Sequence, residues 1–269
     1  MRSPRFLQHA GIGVTALLFA GAYFIPGNER SGPVLTAAVA MVNPQTVTIS
    51  DGEVSDGTVE AVTRTALEAF AGAVRPLSRS HALEDAFRSY FAYKSEHPGE
   101  VRKPYLYFVD YGLPSTTPRG YVFDMERRTI VDGPFTVAHG RGSSSSRYGI
   151  PTRFSNVEGS AATSLGLYVA KATYAFRGTS GGRRYTSIGV RMEGVSRGFN
   201  DRAMQRGVVT HGAPYVTASA AGRSEGCPAM EQSRAQNLLP KIAHGGMVFL
   251  FAPDDDWRAR DRWLSADAG

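Results

Sequence analysis

The hydrophobic pattern begins with an apolar run at the amino terminus. Residues 10–25 carry no charge and follow the basic residues Arg2 and Arg5, which is typical of an export signal. Small residues make Ala22 and Ala40 candidate cleavage positions, so residues 1–40 are predicted to be a signal peptide. A retained membrane anchor through residues 10–25 is the alternative. In both cases we expect the rest of the chain to be exported, to the periplasm or cell envelope.

Two amphipathic helices are predicted after a linker at residues 41–57. Apolar residues recur at three- and four-residue spacing over 58–74, and Pro76 ends the pattern. A second helix is predicted over residues 80–94, because a serine precedes an acidic first turn and an apolar stripe. We therefore expect a short helical pair at residues 58–99.

From residue 105 onward the chain consists of short β-rich runs separated by glycine and proline. Because regular alternation of strands with helices is absent, this pattern indicates a mainly β domain, an antiparallel sandwich or barrel, over residues 100–253. The irregular stretch 139–160 is expected to form a wall of a substrate groove. Residues 254–269 are expected to be a polar tail with its two tryptophans docked. The predicted strands are 105–111, 120–124, 129–138, 165–175, 186–192, 207–211 and 246–252.

Composition is consistent with a folded, turn-rich protein. Of the 269 residues, 42% are hydrophobic and 20% are charged, which excludes wholesale disorder, a collagen-like repeat and a coiled coil. Thirty glycines favour many tight turns over a helical bundle. The net charge of +6 is modest and basic residues are not interleaved with aromatic ones, so we expect no nucleic-acid partner.

The chain contains one cysteine, Cys227, so an intramolecular disulfide is excluded. A buried apolar residue or an intermolecular bridge would be the ordinary explanation, but the local sequence favours chemistry. A glycine-containing turn at 222–226 precedes Cys227, and Pro228 suits the first position of a helix that residues 231–239 can continue. At a helix amino terminus the dipole would favour the thiolate, and the N–H groups of Gly226 and Cys227 would bind an oxyanion.

A cysteine nucleophile needs a base, and two histidines are candidates. His139 and His211 each end a β-rich run and precede a glycine. His211 lies sixteen residues before Cys227, a separation that one strand-loop-strand return can close. We predict that His211 takes the thiol proton and later gives it to a leaving amine. Because no metal-binding spacing accompanies these three residues, neither a zinc site nor a cofactor is expected.

These residues resemble the signature of a known family. The YkuD-like L,D-transpeptidase catalytic domain carries His-Gly and Ser-x-Gly-Cys motifs, which this chain matches at His211-Gly212 and Ser224-Glu225-Gly226-Cys227. The chain is most similar to a murein L,D-transpeptidase branch with a Gly-Cys-Pro-Ala ending. The ordered landmarks, which fall roughly within residues 105–252, are 137–143, 154–156, 164–166, 198–201, 211–216 and 222–229.

The resemblance implies a YkuD-like β-sandwich or barrel that acts on the L,D-peptide bond of a peptidoglycan tetrapeptide stem. It implies that Cys227 forms a thioester, releases the terminal D-alanine and is resolved by an amine acceptor. It also implies that the backbone carbonyl of Gly212 orients His211, in place of an acidic side chain. Ser224 and Tyr215 fall within family landmarks and, with Gly226, are further candidates for substrate or oxyanion contacts; a structural role is the alternative for Tyr215.

The chain departs from the family pattern on both sides of the cysteine. Most relatives have an arginine two residues after it, thought to hold the substrate carboxylate, whereas this chain has Pro228-Ala229. Candidates for that positive charge are Arg223, Arg141 and Arg153. Before the cysteine, a glutamate at position 225 replaces an aromatic residue and would alter the entrance to the site.

Some questions stay open at this point. His139 is either a contact to substrate or a hydrogen-bonded residue at a strand end. A hydrolase of the same family, an L,D-carboxypeptidase or endopeptidase, would use water as the acceptor. A non-catalytic cell-wall-binding module is a third possibility, which the altered ending favours and the retained pair of Cys227 and His211 opposes.

Overall fold

The computed structural model of the chain describes residues 56–264. The predicted export signal, both cleavage positions, nearly all of the linker and the last five residues lie outside this range. Within residues 56–264, no helix is both long enough and apolar enough to cross a membrane.

The predicted helical pair is present as α1 (Asp56–Phe70) and α2 (Ala82–Glu96). Helix α1 ends four residues earlier than its apolar pattern, because the chain turns over residues 71–74 and Gly72 takes a positive φ of 75°. The helices pack on each other and on the sheet through Phe70 and Phe87, whose rings contact Phe123.

The chain from residue 105 onward is built on one mixed sheet of eight strands. The mainly β prediction is confirmed, but the expectation of purely antiparallel pairing is wrong, since β1 pairs parallel with β10 and β7 pairs parallel with β9. The strand order is β3-β2-β1-β10-β5-β6-β7-β9, and β4 and β8 form a separate pair. The strands are β1 Tyr105–Asp110, β2 Gly120–Asp124, β3 Thr129–Phe135, β4 His139–Gly140, β5 Gly166–Ser180, β6 Arg183–Gly194, β7 Val209–Gly212, β8 Arg223–Ser224, β9 Ala229–Met230 and β10 Met247–Phe251.

The core lies around the central strands β1 and β10. All five residues of β10 and five of the six residues of β1 are buried, so both faces of the sheet are covered here. Helix α2 packs on β1, β10 and β5, and α3 (Gln232–Ile242) packs on β1, β5, β6 and β7. This explains why these strands read as continuous apolar runs in the sequence.

Strands β5 and β6 form one long hairpin, where the sequence predicts two separate shorter strands. The two-residue turn consists of Gly181 and Gly182, with φ values of 55° and 76°, as expected of a tight hairpin turn. Half-exposed residues near the turn hide the strand signal in the sequence. The hairpin brings aromatic residues of β5 beside β7, which carries His211.

The segment predicted to be a polar tail contains a helix, α4 (Asp255–Arg260). Both of its tryptophans are buried, as expected, and the Trp263 indole N–H donates to the Val195 carbonyl at 2.8 Å. The Arg258 guanidinium pairs with the buried carboxylate of Asp85 on α2, with a nitrogen–oxygen distance of 2.9 Å. Residues 255–264 are therefore part of the folded domain.

Candidate active site

Cys227 lies in a tight loop, here called the cysteine loop (residues 225–228), that connects β8 to β9. One short segment holds both ends of this loop. The Ala138 N–H donates to the Ala229 carbonyl at 2.8 Å, and the Arg141 N–H donates to the Ser224 carbonyl at 2.8 Å. Between these bonds, β4 pairs in register with β8. Backbone pairing from both sides therefore fixes where Cys227 stands.

The prediction that Cys227 begins a helix is wrong. Helix α3 begins at Gln232, and the residues between form the cysteine loop and β9. Strand pairing displaces the helical start, because Ala229 pairs with His211 and the Pro228 carbonyl accepts from the His211 N–H at 3.3 Å. The dipole argument for a thiolate therefore fails. Burial instead raises the pKa of the Cys227 thiol.

Ser224 and Gly226 shape the cysteine loop from within. The Ser224 hydroxyl accepts from the Gly226 N–H at 3.1 Å and donates to the Cys227 carbonyl at 2.6 Å. Gly226 has a φ of +124°, and a Cβ at this position would lie 2.9 Å from the Ala162 carbonyl oxygen. Because its N–H is engaged by Ser224, Gly226 has no donor free for an oxyanion, contrary to expectation. The Cys227 N–H has no hydrogen-bond partner within residues 56–264.

His211 stands at the middle of the β6-β7-β9 pairing, next to the cysteine loop. Its ring nitrogen Nδ1 lies 3.0 Å from the Gly212 carbonyl oxygen, which accepts a hydrogen bond when Nδ1 carries the proton. In that tautomer Nε2 is the acceptor. The Phe176 ring stacks on the imidazole with a centroid distance of 3.9 Å and an interplanar angle of 16°. Burial lowers the pKa of His211 to about 4, although the Gly212 bond opposes the shift.

Several tyrosines and two charged side chains, Arg206 and Glu225, lie around the Cys227 sulfur. A backbone hydrogen bond from Val209 and the positive charge of Arg206 lower the thiol pKa, while the carboxylate of Glu225 raises it further. Burial raises the pKa of five tyrosine hydroxyls around the site, and the nearby Cys227 raises it further: Tyr111, Tyr168, Tyr174, Tyr185 and Tyr215. Of these, only Tyr215 is a residue that the sequence singles out.

His139 lies behind the cysteine loop and is fully buried. Its Nδ1 is 3.0 Å from Nη2 of Arg119, a guanidinium that is itself fully buried and also donates to the Val137 and Leu113 carbonyls. Burial, the Arg119 charge and the Arg223 charge lower the pKa of His139 to about 3. The Arg119 donor requires an unprotonated Nδ1, so the neutral imidazole carries its proton on Nε2.

The three arginines proposed for substrate binding occupy different positions. The Nε of Arg141 lies 2.8 Å from both carboxylate oxygens of Glu225, in an exposed ion pair beside the cysteine loop. Arg223 donates to the Ser144 carbonyl at 2.9 Å and is half-buried. Arg153 is exposed. None of the three is aimed at the sulfur by a contact that the structure shows.

Several residues around the site are not predicted from the sequence. Phe176 and Arg119 belong to strands or turns far from Cys227 in the chain and reach the site through sheet pairing. Arg206 lies five residues before His211, and its only sequence signal is its position between two of the family landmarks.

Comparison with known proteins identifies the domain. The sequence matches the L,D-transpeptidase catalytic domain over residues 76–251. The chain therefore belongs to the L,D-transpeptidase catalytic domain family, as predicted. The match begins ahead of α2, so the family region includes the second helix of the pair.

Solved structures that resemble this chain are also described as L,D-transpeptidases. One from Mycobacterium tuberculosis H37Rv has 16% identity and a TM-score of 0.34, and the match covers 55% of this chain and 57% of that chain. One from Stackebrandtia nassauensis has 14% identity and a TM-score of 0.34, with coverage of 71% and 90%. This chain thus spans little more than half of the mycobacterial protein. The comparison with curated proteins finds no match.

Proposed function

We propose that this protein is an exported cysteine acyltransferase of peptidoglycan, a murein L,D-transpeptidase. The adjacency of Cys227 and His211 carries the proposal: the His211 N–H donates to the carbonyl of Pro228, the residue after Cys227. Membership of the L,D-transpeptidase catalytic domain family supports it. The apolar, positively flanked amino terminus supports export to the periplasm or cell envelope.

Acylation starts from a neutral thiol and a neutral imidazole. The raised pKa of Cys227 and the lowered pKa of His211 both favour the uncharged pair. As Sγ bonds to the carbonyl carbon of the L,D-peptide bond, the thiol proton passes to Nε2 of His211. The C–N bond to the terminal D-alanine then breaks, the imidazolium protonates the leaving amine, and a thioester remains on Cys227.

Deacylation reverses these proton transfers with a second stem as the amine acceptor. The acceptor amine attacks the thioester carbon and loses a proton to His211, and the sulfur leaves and is reprotonated. In both halves of the reaction, the Gly212 carbonyl holds the imidazole in the tautomer that exposes a basic Nε2. The free N–H of Cys227 is the donor we assign to the developing oxyanion.

Intact-mass spectrometry of the full-length chain tests this proposal. The protein is incubated with a purified disaccharide-tetrapeptide and, separately, with a carbapenem. We expect a covalent adduct on the wild type and none on Cys227→Ala with its fold retained. Muropeptide products then identify the acceptor, because crosslinked dimers indicate transpeptidation and trimmed monomers indicate hydrolysis by water. A folded wild type that forms no adduct with either reagent contradicts the proposal and favours a binding module.

A further inference from the structure

A half-buried arginine that the mechanism does not use, Arg206, connects two parts of the site. Its guanidinium donates from Nη1 to the Ser155 carbonyl at 2.8 Å and to the Ser164 hydroxyl at 3.2 Å. From Nη2 it donates to the Ser160 hydroxyl at 3.2 Å and to the Ala162 carbonyl at 2.9 Å. One side chain thereby joins four residues of the segment 155–164.

All four acceptors of Arg206 are neutral, and no carboxylate within residues 56–264 forms an ion pair with it. Because burial of a guanidinium without a counter-charge is costly, its pKa is lowered by desolvation. A neutral side chain could satisfy some of these acceptors at less cost. Arg206 therefore brings a positive charge to the site in addition to its hydrogen bonds.

The segment that Arg206 holds is packed directly on the cysteine loop. The Ala162 carbonyl oxygen that accepts from Arg206 is the atom 2.9 Å from the position of a Cβ on Gly226. A Cβ on Gly140 would likewise lie 2.3 Å from the Ala161 carbonyl oxygen and 2.8 Å from the Gly226 Cα. Residues 161–162 thus form a rigid backing against which the loop stands. Movement of this backing would displace the residue next to the sulfur.

We propose that Arg206 is a positioning residue for the nucleophile, which fixes segment 155–164 against Gly226 and supplies the positive charge beside Cys227. The inference rests on the proposed function. Within the described part of the chain, Arg206 is the one charged side chain that lowers the thiol pKa, against burial and Glu225, which raise it. His211 is neutral and the nearby tyrosines are un-ionised at neutral pH, so they supply no competing charge.

The geometry also explains why an arginine suits this position. A guanidinium offers two pairs of donors in one plane, which match acceptors on both sides of the turn 155–164. Lysine keeps the charge but cannot reach four acceptors at once. Methionine has a similar length and keeps neither. The charge and the brace can therefore be separated by substitution.

The experiment uses the single cysteine as its own reporter. Alkylation of Cys227 by iodoacetamide is followed across pH in the full-length wild type, Arg206→Lys, Arg206→Met and the exposed control Arg202→Gln. We expect about tenfold less thiolate at pH 8 in Arg206→Met, because loss of a nearby positive charge raises a thiol pKa. Arg206→Lys and Arg202→Gln should titrate like the wild type.

Hydrogen exchange measures the brace in the same samples. Segment 155–164 should exchange faster in both Arg206 variants and at the wild-type rate in Arg202→Gln. An unchanged thiol titration in Arg206→Met, or unchanged exchange in both variants, overturns the proposal. If Arg206→Met does not fold, the test rests on Arg206→Lys. This variant must keep the wild-type thiol titration of Cys227 and show faster hydrogen exchange in segment 155–164. Neither readout needs turnover, so a wild type without a carbapenem adduct contradicts the proposed function while leaving this assignment standing.

Discussion

Protonation of His211 offers a direct test of the resting state proposed for the site. Burial holds the pKa of this imidazole at about 4, below its usual 6.5, and only a neutral imidazole can take the thiol proton. We therefore expect the acid limb of kcat/KM for acylation near pH 4. Below that pH the rate should fall about tenfold for each further pH unit, as expected for loss of one essential base.

The lowered pKa of His211 also makes the free energy of unfolding depend on pH, and its direction means that acid destabilises the folded protein. In the unfolded chain the imidazole binds a proton below about pH 6.5, whereas in the folded protein it does so only below about pH 4. The stability contributed by neutral His211 is thus present above pH 6.5 and lost as the pH falls toward 4. The difference corresponds to ~3 kcal/mol.

Urea unfolding at pH 7.5 and pH 4.5 measures this loss. Buried His139, with a pKa lowered to about 3, adds a loss of its own, so His211→Gln is compared with the wild type to isolate the His211 share. The variant should lose ~2 to 3 kcal/mol less than the wild type between the two pH values. Cys227→Ala, which keeps the imidazole, should follow the wild type. Equal losses in wild type and His211→Gln, or an acid limb near pH 6.5, would refute the reasoning.

Three substitutions test other parts of the site and fold. Gly226→Ala places a Cβ on a residue with a positive φ and 2.9 Å from the Ala162 carbonyl oxygen. Thermal unfolding should therefore show a loss of ~1–3 kcal/mol in folding stability, and mass spectrometry should show no carbapenem adduct. Phe176→Ala removes the ring stacked on His211 and should slow acylation about tenfold at unchanged affinity for the stem peptide. Phe176→Tyr keeps a ring and should acylate at the wild-type rate. Equal acylation rates in Phe176→Ala and the wild type would contradict a positioning role for this ring. Asp110→Asn weakens two hydrogen bonds that anchor Ser78, between α1 and α2, and a third from the Gly112 N–H; chemical denaturation should show a cost of ~2 kcal/mol without loss of acylation per folded molecule.

The sequence predicts best what is encoded locally. Strands β1, β2 and β10 are continuous apolar runs, and each is found within two residues of its predicted bounds. The family can be recognised because the motifs around His211 and Cys227 are short and ordered. The roles of these two residues follow from the same motifs and remain predictions that the adduct experiment tests.

Long-range pairing explains what could not be predicted. A proline after a glycine turn is a good helix start, yet Pro228 is taken into pairing with β7, a strand whose partner cannot be read locally. The contribution of Arg206 depends on four acceptors between 42 and 51 residues away in the sequence. The Gly226 N–H donates to the hydroxyl of Ser224, only two residues away in the sequence. This hydrogen bond depends on the conformation of the cysteine loop, which long-range backbone pairing fixes at both ends.

The contact between α2 and residues 258–263 sets a limit on how this protein can be shortened. The Ser89 hydroxyl donates to the Trp263 carbonyl at 3.2 Å, and Arg258 covers the carboxylate of Asp85. Removing residues 254–264 would take the Arg258 guanidinium away from the buried Asp85 carboxylate, whose remaining ion-pair partner within residues 56–264 is His81 at 3.8 Å, and would uncover a strip of aromatic core on α2. A fragment trimmed to the apparent catalytic boundaries, 100–253, would lack both halves of this contact. Minimal functional fragments of this chain should therefore include α2 and extend through Leu264.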